Sequence, residues 1–550
     1  MQRILTLCIF ILLSVSDSFS NPIFLWKKNN SPYSIVLAKN ATDSELKAAE
    51  IFQKYFKKKS DLSIPIIYEG SEKGKANLYI GLTNFAKSQI QFNKLQNEGY
   101  FIGLNGENII IAGKTVRGTV NGIFGFLRKY LGVEMLSRDF VYCIPEVSKN
   151  IDLVRSNYIN PSFQSVDIFN AQSYSDDYTF WGGINHLFKN GFDSDWGIFG
   201  HSFFKIIPPE KYFKSHPDFF LLKNGKPSQL NLDNEFLVKE VISNLKILMK
   251  AKPSKKLWMV GQEDDGSFND LKIANGTNTT DNLILFINKI AKAFPEKIIG
   301  TLSFQQTQKA PLKVKPLSNV LVCFAPIDAI YNIPIFSGYN TRFSKELLKW
   351  KTLTNNLMVW EYVANYTDSM LPYPSFTVIG QNLRYYHKNG VSRLYLEGLN
   401  LTEEVFSELY TYLFLRQYWD ITINVNATIK EFCEKYYGKS SVYVMQYIEK
   451  LNTNVNNSNG ILRFYDTKKD YLNSNFLNDY DRTLENAALS VKDSPLFLAR
   501  VNKLRSQVDF QLLKGNIKQG DSRSNRFLQT MREQGVSSVK SNSKNIKINY

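Results

Sequence analysis

The sequence has very little cysteine and histidine, four of each in 550 residues. Cys8 lies in the apolar N-terminal segment, which leaves Cys143, Cys323 and Cys433 as an odd and widely spaced set. Such a set argues against a disulfide framework and against a thiolate metal site. The sequence also lacks the patterns His-Glu-x-x-His, Gly-x-Ser-x-Gly, Walker A and Gly-x-Gly-x-x-Gly. Zinc peptidase, serine hydrolase, kinase and dinucleotide enzyme therefore lose support, and we expect no metal and no cofactor.

Beyond the N-terminus, no apolar run is long enough to span a membrane. Residues 1–20 have the features of a signal peptide: Arg3 supplies a positive charge, residues 4–15 are apolar, and residues 18–20 (Ser-Phe-Ser) offer small side chains for cleavage. We therefore expect an exported protein, periplasmic or extracellular, without a transmembrane segment. Nothing in the sequence indicates its oligomeric state.

No motif typical of nucleic-acid binding is present, although the net charge is +17. The lysines are scattered, with residues 57–59 as the one tight run, so background composition explains the charge better than a polyanion-binding face. We expect no nucleic-acid partner. Aromatic residues make up 14% of the chain. This content fits a protein that stacks rings on ligands such as carbohydrates. A background composition rich in Lys, Asn, Ile, Phe and Tyr explains it at least as well.

Residues 33–145 are predicted to form a small α+β domain. Thr42 and Glu45 have the spacing of a capping box that opens a helix through residue 59. Residues 99–104 and 108–112 flank an Asn-Gly pair at Asn105, which predicts a hairpin. A glycine-containing amphipathic helix over residues 117–130 follows, and its glycines indicate close packing on the sheet.

Between residues 160 and 420 apolar strand patterns alternate with helical ones, which predicts parallel βα units and a (β/α)₈ TIM-like barrel of the α/β class. The predicted strands are residues 163–169, 219–222, 257–260, 298–303, 320–324, 357–360 and 393–396, with a poorly defined strand near 185–200. We expect a helical domain over residues 425–515. Residues 516–550 are basic and poor in apolar anchors, so we expect a weakly ordered tail there.

Carboxylates follow the predicted strands where a barrel places its active site. Glu263 and Asp264 follow the strand at 257–260, Asp328 follows 320–324, Glu361 follows 357–360, and Glu397 follows 393–396. Two carboxylates that face one pocket are what glycosidic cleavage needs, one as a proton donor and one as a base or nucleophile. For a single one of them a solvated strand-end carboxylate is the better explanation, whereas the repeat of the pattern around the predicted rim favours an active site.

Aromatic side chains and one histidine accompany these acids. His201 lies on a predicted rim loop where it would contact a substrate hydroxyl or carboxylate, and His186 is a candidate to join it. Aromatic rings stack on the apolar faces of sugars, and core packing explains any one ring as well. The candidate substrate-binding aromatics are Trp196, Trp360, Tyr362 and Tyr366, with Trp181, Phe199 and Tyr373 nearby.

Five segments carry a family resemblance: residues 200–203 (Gly-His-Ser-Phe), 208–220 (Pro-Pro-Glu-Lys-Tyr-Phe-Lys-Ser-His-Pro-Asp-Phe-Phe), 262–264 (Gln-Glu-Asp), 360–366 (Trp-Glu-Tyr-Val-Ala-Asn-Tyr) and 371–374 (Leu-Pro-Tyr-Pro). Together they resemble bacterial exported proteins with a glycoside-hydrolase-like domain of unknown function. The barrel of that family is related to family 67 α-glucuronidases and family 20 hexosaminidases. The α/β domain before the barrel resembles the non-catalytic domain of both. The resemblance covers roughly residues 33–510.

The resemblance implies a glycoside hydrolase that acts on a carbohydrate substrate without a metal. It implies that Asp264 or Glu263 is the general acid and that Glu361, with Asp328 as a further candidate, is the base. Many members of the family have closely spaced cysteines after the acidic motif, and residues 266–271 of this chain have none. A uronic acid in the substrate would fit the basic charge balance.

Two other functions fit the same residues. One is a glycan-binding protein that keeps the barrel as a recognition surface without catalysis. The other is a polysaccharide lyase, which would use a tyrosine or histidine base beside a cation. His201 beside a tyrosine would be the sign of a lyase.

Overall fold

A computed structural model of the chain describes residues 23–27, 30–145, 150–153, 155–184, 194–264, 268, 273–514, 516–517 and 520–548. The predicted signal peptide and His186 lie outside these residues. The chain forms two compact units. The first joins the described residues up to Gly132 with Ile144–Ile159, and the second joins Val133–Cys143 with the described residues from Asn160 onward. No helix in these ranges is long and apolar enough to cross a membrane.

The first unit is a six-stranded mixed sheet with helices packed on it. Its first helix begins with the predicted capping box, in which the Glu45 carboxylate accepts the Thr42 N–H at 2.9 Å. The predicted Asn-Gly hairpin is also present. In spatial order the strands are Asn157–Ile159, Tyr100–Asn105, Asn108–Gly113, Ala76–Ile80, Tyr33–Leu37 and Ile66–Tyr68, and the helices are Asp43–Ser60, Asn84–Gln89 and Val116–Leu131.

The second unit contains a curled sheet of seven parallel strands, called here the central sheet. In spatial order its strands are Ser165–Phe169, Arg393–Glu397, Leu357–Tyr362, Val320–Phe324, Ile298–Ser303, Leu257–Met259 and Trp196–Ile198. The two edge strands share no backbone pairing within the described residues. A side-chain bond joins them instead, since Trp196 Nε1 donates to Asp167 Oδ2 at 3.2 Å. This arrangement is compatible with a TIM-like barrel.

One predicted barrel strand lies outside the central sheet. Residues 219–222 contribute instead to an antiparallel hairpin of Phe220–Lys223 with Lys226–Leu230. Its tip is Asn224 and Gly225, both with positive φ, and a two-residue Asn-Gly turn requires antiparallel pairing. Asp264 therefore follows the third strand of the central sheet in chain order, whereas the predicted strands, with 219–222 and the one near 185–200 included, would make it the fourth.

Helices surround the central sheet and continue beyond it. Those of eight residues or more are Glu235–Ala251, Thr279–Ala293, Thr341–Leu353, Phe376–Lys388, Ser407–Trp419, Val425–Tyr437, Ser441–Asn457, Ser474–Ser490, Pro495–Leu513 and Ser522–Glu533. The predicted helical region over 425–515 is thus helical. This region does not have a separate core, because one cluster of buried apolar residues continues from the sheet into it. The stacked rings of Phe406 and Tyr447 are one such connection.

The C-terminal tail differs from the prediction. It forms the helix Ser522–Glu533 and a hairpin of Ser538–Ser541 with Lys544–Lys547, called here the C-terminal hairpin. The few apolar residues of the tail are enough to hold this structure because they converge on one small core. Phe527 and Met531 are fully buried there. The basic residues of the helix also have acidic partners, since Arg523 bonds Asp509 at 3.0 Å.

Candidate active site

The carboxyl ends of the central strands bring three acidic residues into one electrostatic environment. Asp264 follows Leu257–Met259, Asp328 follows Val320–Phe324, and Glu397 ends Arg393–Glu397. Burial raises the pKa of the Tyr465 phenol to about 12, and the charges of all three acids add to the increase. The predicted rim acids Asp264, Asp328 and Glu397 therefore lie around a common point at the carboxyl edge of the sheet.

Glu397 is the acid with the most perturbed ionisation in this group. Burial raises the pKa of its carboxyl to about 8, hydrogen bonding from Tyr395 and Trp360 opposes the increase, and the charge of Asp264 adds to it. The indole Nε1 of Trp360 meets no described group at full hydrogen-bond geometry, so its opposing effect is weak. Because the pKa lies above 7, Glu397 is protonated at neutral pH and can donate a proton.

Asp264 is exposed, and the residues before it fix its position. Gln262 is buried and donates through Nε2 to Thr307 Oγ1 at 2.7 Å. The backbone N–H and carbonyl of Glu263 bond the side chain of Gln229 at 3.0 and 2.8 Å. These bonds hold the two residues directly before Asp264 in place. They therefore fix where the chain presents Asp264 after the strand.

Glu263 has a structural partner that the sequence did not reveal. Its Oε1 accepts the backbone N–H of Phe204 at 2.9 Å, at the start of the short helix Phe203–Ile206. This bond uses one carboxylate oxygen to order the loop that carries His201. Of the two adjacent acids, Asp264 is the exposed one, and Glu263 has this backbone partner.

His201 is oriented by a backbone carbonyl. Its Nδ1 lies 2.6 Å from the carbonyl oxygen of Gln262, and a carbonyl only accepts, so Nδ1 carries a proton. The Nε2 atom is then the acceptor of the neutral ring and its second donor when charged. The ring packs beside Phe304 and Trp360, with centroids 5.7 and 6.4 Å away. The structure therefore brings His201 to the same edge as Trp360 and Glu397.

The predicted aromatic residues form a packed wall at this edge. Trp360 stacks on Phe199 at 5.4 Å and on Tyr362 at 6.3 Å, and it meets Tyr395 at 4.4 Å. Trp360 stays partly exposed, whereas Tyr362 is buried and contacts Phe464. Trp360 and Phe199 are thus the rings of the wall with surface left for a ligand.

Two of the predicted sugar-binding aromatics have other partners. Trp196 is buried and donates to Asp167 between the edge strands. Tyr366 is 47% exposed, but Phe464 stacks on its ring and Lys540 Nζ lies 3.6 Å from the ring centroid. Neither residue offers an open ring face for stacking.

The structure separates Glu361 from the other acids. Side chains alternate along a strand, so Trp360 and Tyr362 face the aromatic wall and Glu361 faces the opposite side. There its two oxygens accept from Asn382 Nδ2 and the Tyr386 hydroxyl, both at 2.8 Å, on the helix Phe376–Lys388. Burial raises the pKa of Glu361 to about 7, and both bonds oppose the increase. The side chain joins sheet to helix and does not reach the site.

Sequence reasoning missed two residues near the site. Tyr465 comes from the segment between helices of the C-terminal region, and no strand-end pattern marks it. Glu404 is buried behind Gly398, where a Cβ atom would lie 2.6 Å from Glu404 Oε1. Burial raises the pKa of Glu404 well above its ordinary value, and Leu399 and Lys503 oppose the increase. The Glu403-Glu404 pair in a loop gives no sequence signal that distinguishes it from a solvated turn.

Within the described residues, no group of three or more His, Cys, Asp or Glu side chains is arranged to hold a metal ion. The chemistry that these residues support by themselves is general acid and general base or nucleophilic action by carboxylates. A protonated Glu397 and the carboxylate of Asp264 at one edge of a parallel sheet provide a donor and a base or nucleophile.

A glycoside hydrolase of known structure has a similar fold. A family GH115 4-O-methyl-α-glucuronidase, BtGH115A, with specificity for decorated arabinogalactans, is 10% identical and aligns over 91% of this chain and 76% of its own, with a TM-score of 0.55. The protein CpGH84B is 10% identical over 97% of both chains with a TM-score of 0.49. A GH138 enzyme targeting pectin rhamnogalacturonan II is 10% identical over 91% of this chain and 73% of its own, with a TM-score of 0.40.

The family profile of a domain of unknown function, DUF4838, matches residues 141–449. The match covers more than half of the chain, and the chain belongs to this family. The predicted membership of a glycoside-hydrolase-like family of unknown function is confirmed at that level. The narrower relation to families 67 and 20 stays a prediction. No curated protein matches the chain.

Proposed function

We propose that this protein is an exported glycoside hydrolase that cleaves a glycosidic bond of a glycan by carboxylate acid/base catalysis. The observation that carries the proposal is the pairing of Glu397, whose pKa burial raises to about 8, with the exposed carboxylate of Asp264. Glycosidic cleavage needs a proton for the leaving oxygen and a second carboxylate for water or for the sugar.

Glu397 is the general acid in this proposal. Its carboxyl is held in an apolar, aromatic surrounding that disfavours the charged form, and the neighbouring charge of Asp264 disfavours it further. Asp264 is the base or the nucleophile, because it is exposed at the same edge and does not have to stay protonated. When their environments give two carboxyl groups different pKa values, one acts as the acid and the other as the base or nucleophile of the same reaction.

The other residues of the site have supporting roles. Trp360 offers a partly exposed ring whose uncovered part contacts the apolar face of a sugar. His201 presents Nε2 for a sugar hydroxyl, and Asp328 is a further exposed acceptor. The proposal does not use Glu361 or Glu263, whose carboxylates have bonds to Tyr386 and to the Phe204 N–H.

A screen of the purified protein against acidic and neutral glycans, with detection of new reducing ends, tests the proposal. Wild-type protein is expected to release reducing ends from at least one glycan, whereas Glu397→Gln and Asp264→Asn abolish release and keep the fold. Glu296→Gln serves as the control, because Glu296 is exposed just before the amino end of the strand Ile298–Ser303. Binding without release would identify the non-catalytic glycan-binding protein, and an unsaturated uronide product would identify a lyase.

A further inference from the structure

A cleft of about 500 Å³ adjoins the candidate active site. Tyr465 lines it, and the same phenol lies within the electric field of Asp264, Asp328 and Glu397. The cleft is therefore next to the acids and not at a remote surface. Its other walls come from the loop at 365–367, the segment 466–469 and the tip of the C-terminal hairpin, Asn542 and Ser543.

The walls are held together by backbone-directed bonds. Asn365 Nδ2 donates to the carbonyls of Arg463 and Tyr465 at 3.0 and 3.1 Å. The hairpin tip is fixed by the bond from Ser543 N–H to the Thr367 carbonyl at 2.9 Å. The cleft is thus formed before any ligand arrives, which lowers the entropic cost of binding.

The hairpin is anchored next to the cleft as well as at its tip. The Ser369 N–H donates to the Lys540 carbonyl at 2.9 Å, and the Lys540 N–H donates to Ser369 Oγ at 3.0 Å. Lys540 then covers the ring of Tyr366. A segment distant in sequence therefore completes this wall, and its side chains at the tip are free to define a ligand preference.

Both lysines that line the cleft have an acidic partner. Lys469 Nζ bonds Asp368 Oδ2 at 2.7 Å, and Lys468 Nζ bonds Asp470 Oδ2 at 3.0 Å. Asp466 is exposed, and no described lysine or arginine pairs with it. The cleft offers hydroxyl, amide and carboxylate groups but no uncompensated cation among its described residues, so a uronate carboxylate would meet repulsion and a neutral sugar would not.

We infer that this cleft binds an uncharged sugar residue of the glycan, adjacent to the bond that Asp264 and Glu397 act on. The inference rests on the proposed function and narrows its substrate class. Hydroxyl groups of the sugar bond Asp466, Asn542 and Ser543, which are polar and exposed at the walls. The uronic acid suggested by the net charge of +17 is thereby excluded from this position, although not from the rest of the glycan.

The double variant Asn542→Gly, Ser543→Gly tests the inference with little risk to the fold. Both residues have positive φ, 46° and 64°, which glycine adopts without strain, and the anchoring Ser543 N–H stays. Asn545→Ala is the matched control, because Asn545 is exposed on the same hairpin and does not line the cleft. Asp466→Asn tests the opposite wall.

Binding is measured by calorimetry in the Asp264→Asn background, with neutral tetrasaccharides of glucose, xylose or galactose and with tetragalacturonate. We expect a neutral tetrasaccharide to bind, the double glycine variant to weaken its affinity at least tenfold, and Asn545→Ala to leave it unchanged. Equal affinity in the double variant, tighter binding of tetragalacturonate, or no binding of any neutral tetrasaccharide would overturn the inference. Failure of hydrolysis in wild-type protein, with this binding pattern intact, would instead reject the proposed function.

Discussion

Trp196 and Asp167 join the two edge strands of the central sheet, the indole Nε1 donating to the carboxylate at 3.2 Å. Both side chains are buried, so their bond forms away from water, where a lost partner is costly. Since no described backbone pairing links these strands, this side-chain bond fixes their separation on one side of the site.

We expect Trp196→Phe to lower the free energy of unfolding by about 1–3 kcal/mol, because the buried Asp167 carboxylate loses its donor and the smaller ring leaves a gap. Denaturant unfolding of Trp196→Phe, Asp167→Ala and the double variant gives the coupling energy. Strict additivity of the two single effects would show that the bond does not contribute to stability.

The rate of hydrolysis is expected to fall as the pH rises through about 8, because Glu397 then loses the proton that it donates. Glu397→Gln is expected to lower kcat by about 10²–10⁴-fold and to remove this alkaline limb. A substrate with a leaving group that needs no protonation, such as a dinitrophenyl glycoside, should restore much of the rate. An unchanged alkaline limb in Glu397→Gln would assign the proton donor elsewhere.

The same ionisation affects stability with a definite sign. The pKa of Glu397 is raised from 4.5 to about 8 in the folded state, so the folded protein binds this proton more tightly than the unfolded chain does. Its contribution to stability is complete at pH values below 4.5 and is lost as the pH rises towards 8. Unfolding free energies across this range should decline less steeply in Glu397→Gln than in wild-type protein.

Asp264→Asn and Glu263→Gln form a matched pair at adjacent positions. We expect Asp264→Asn to lower the rate of hydrolysis by about 10²–10⁴-fold or more, without a change in folding. Glu263→Gln keeps an oxygen for the Phe204 N–H and is expected to retain most of the turnover. Circular dichroism and turnover on the same samples separate the two roles. Equal activity of Asp264→Asn and wild-type protein would contradict the assignment of Asp264.

Glu361→Gln is expected to keep turnover, because Glu361 lies on the helix side of the sheet and its amide replacement still bonds Asn382 and Tyr386. Glu361→Ala leaves both partners without an acceptor and a cavity beside them. We expect it to cost about 2–4 kcal/mol of unfolding free energy. Thermal unfolding measures this cost. Loss of turnover in a stably folded Glu361→Gln would return this residue to the catalytic group.

The signal peptide predicted over residues 1–20 leads to a processing test. The mature protein, expressed with its own leader, is expected to begin at Asn21, which mass spectrometry of the exported fraction measures. Retention of the full-length chain inside the cell would contradict the proposed export. Cys8 lies within the apolar run without the small residues that precede a lipid-modified cysteine. We therefore expect no lipid on the mature N-terminus.

The sequence by itself determined most of the parallel strands and the helices between them, the capping box at Thr42 and the acids that follow the strands. Apolar periodicity and turn residues act locally, so they can be read from neighbouring residues. The Asn-Gly pair at Asn224 was also readable, but the apolar residues before it fit a barrel strand equally well, and only the pairing partner shows which structure forms.

The tertiary structure alone decided which acids share a site. Strand alternation turns Glu361 towards the helix Phe376–Lys388, and a backbone N–H of a separate loop takes up Glu263. The raised pKa of Glu397 depends on its burial, and its strand neighbour Tyr395 packs against rings from two other segments, Trp360 and Phe199. Tyr465 and the C-terminal hairpin reach the site from distant parts of the sequence, because burial and charge depend on neighbours in space that sequence spacing does not specify.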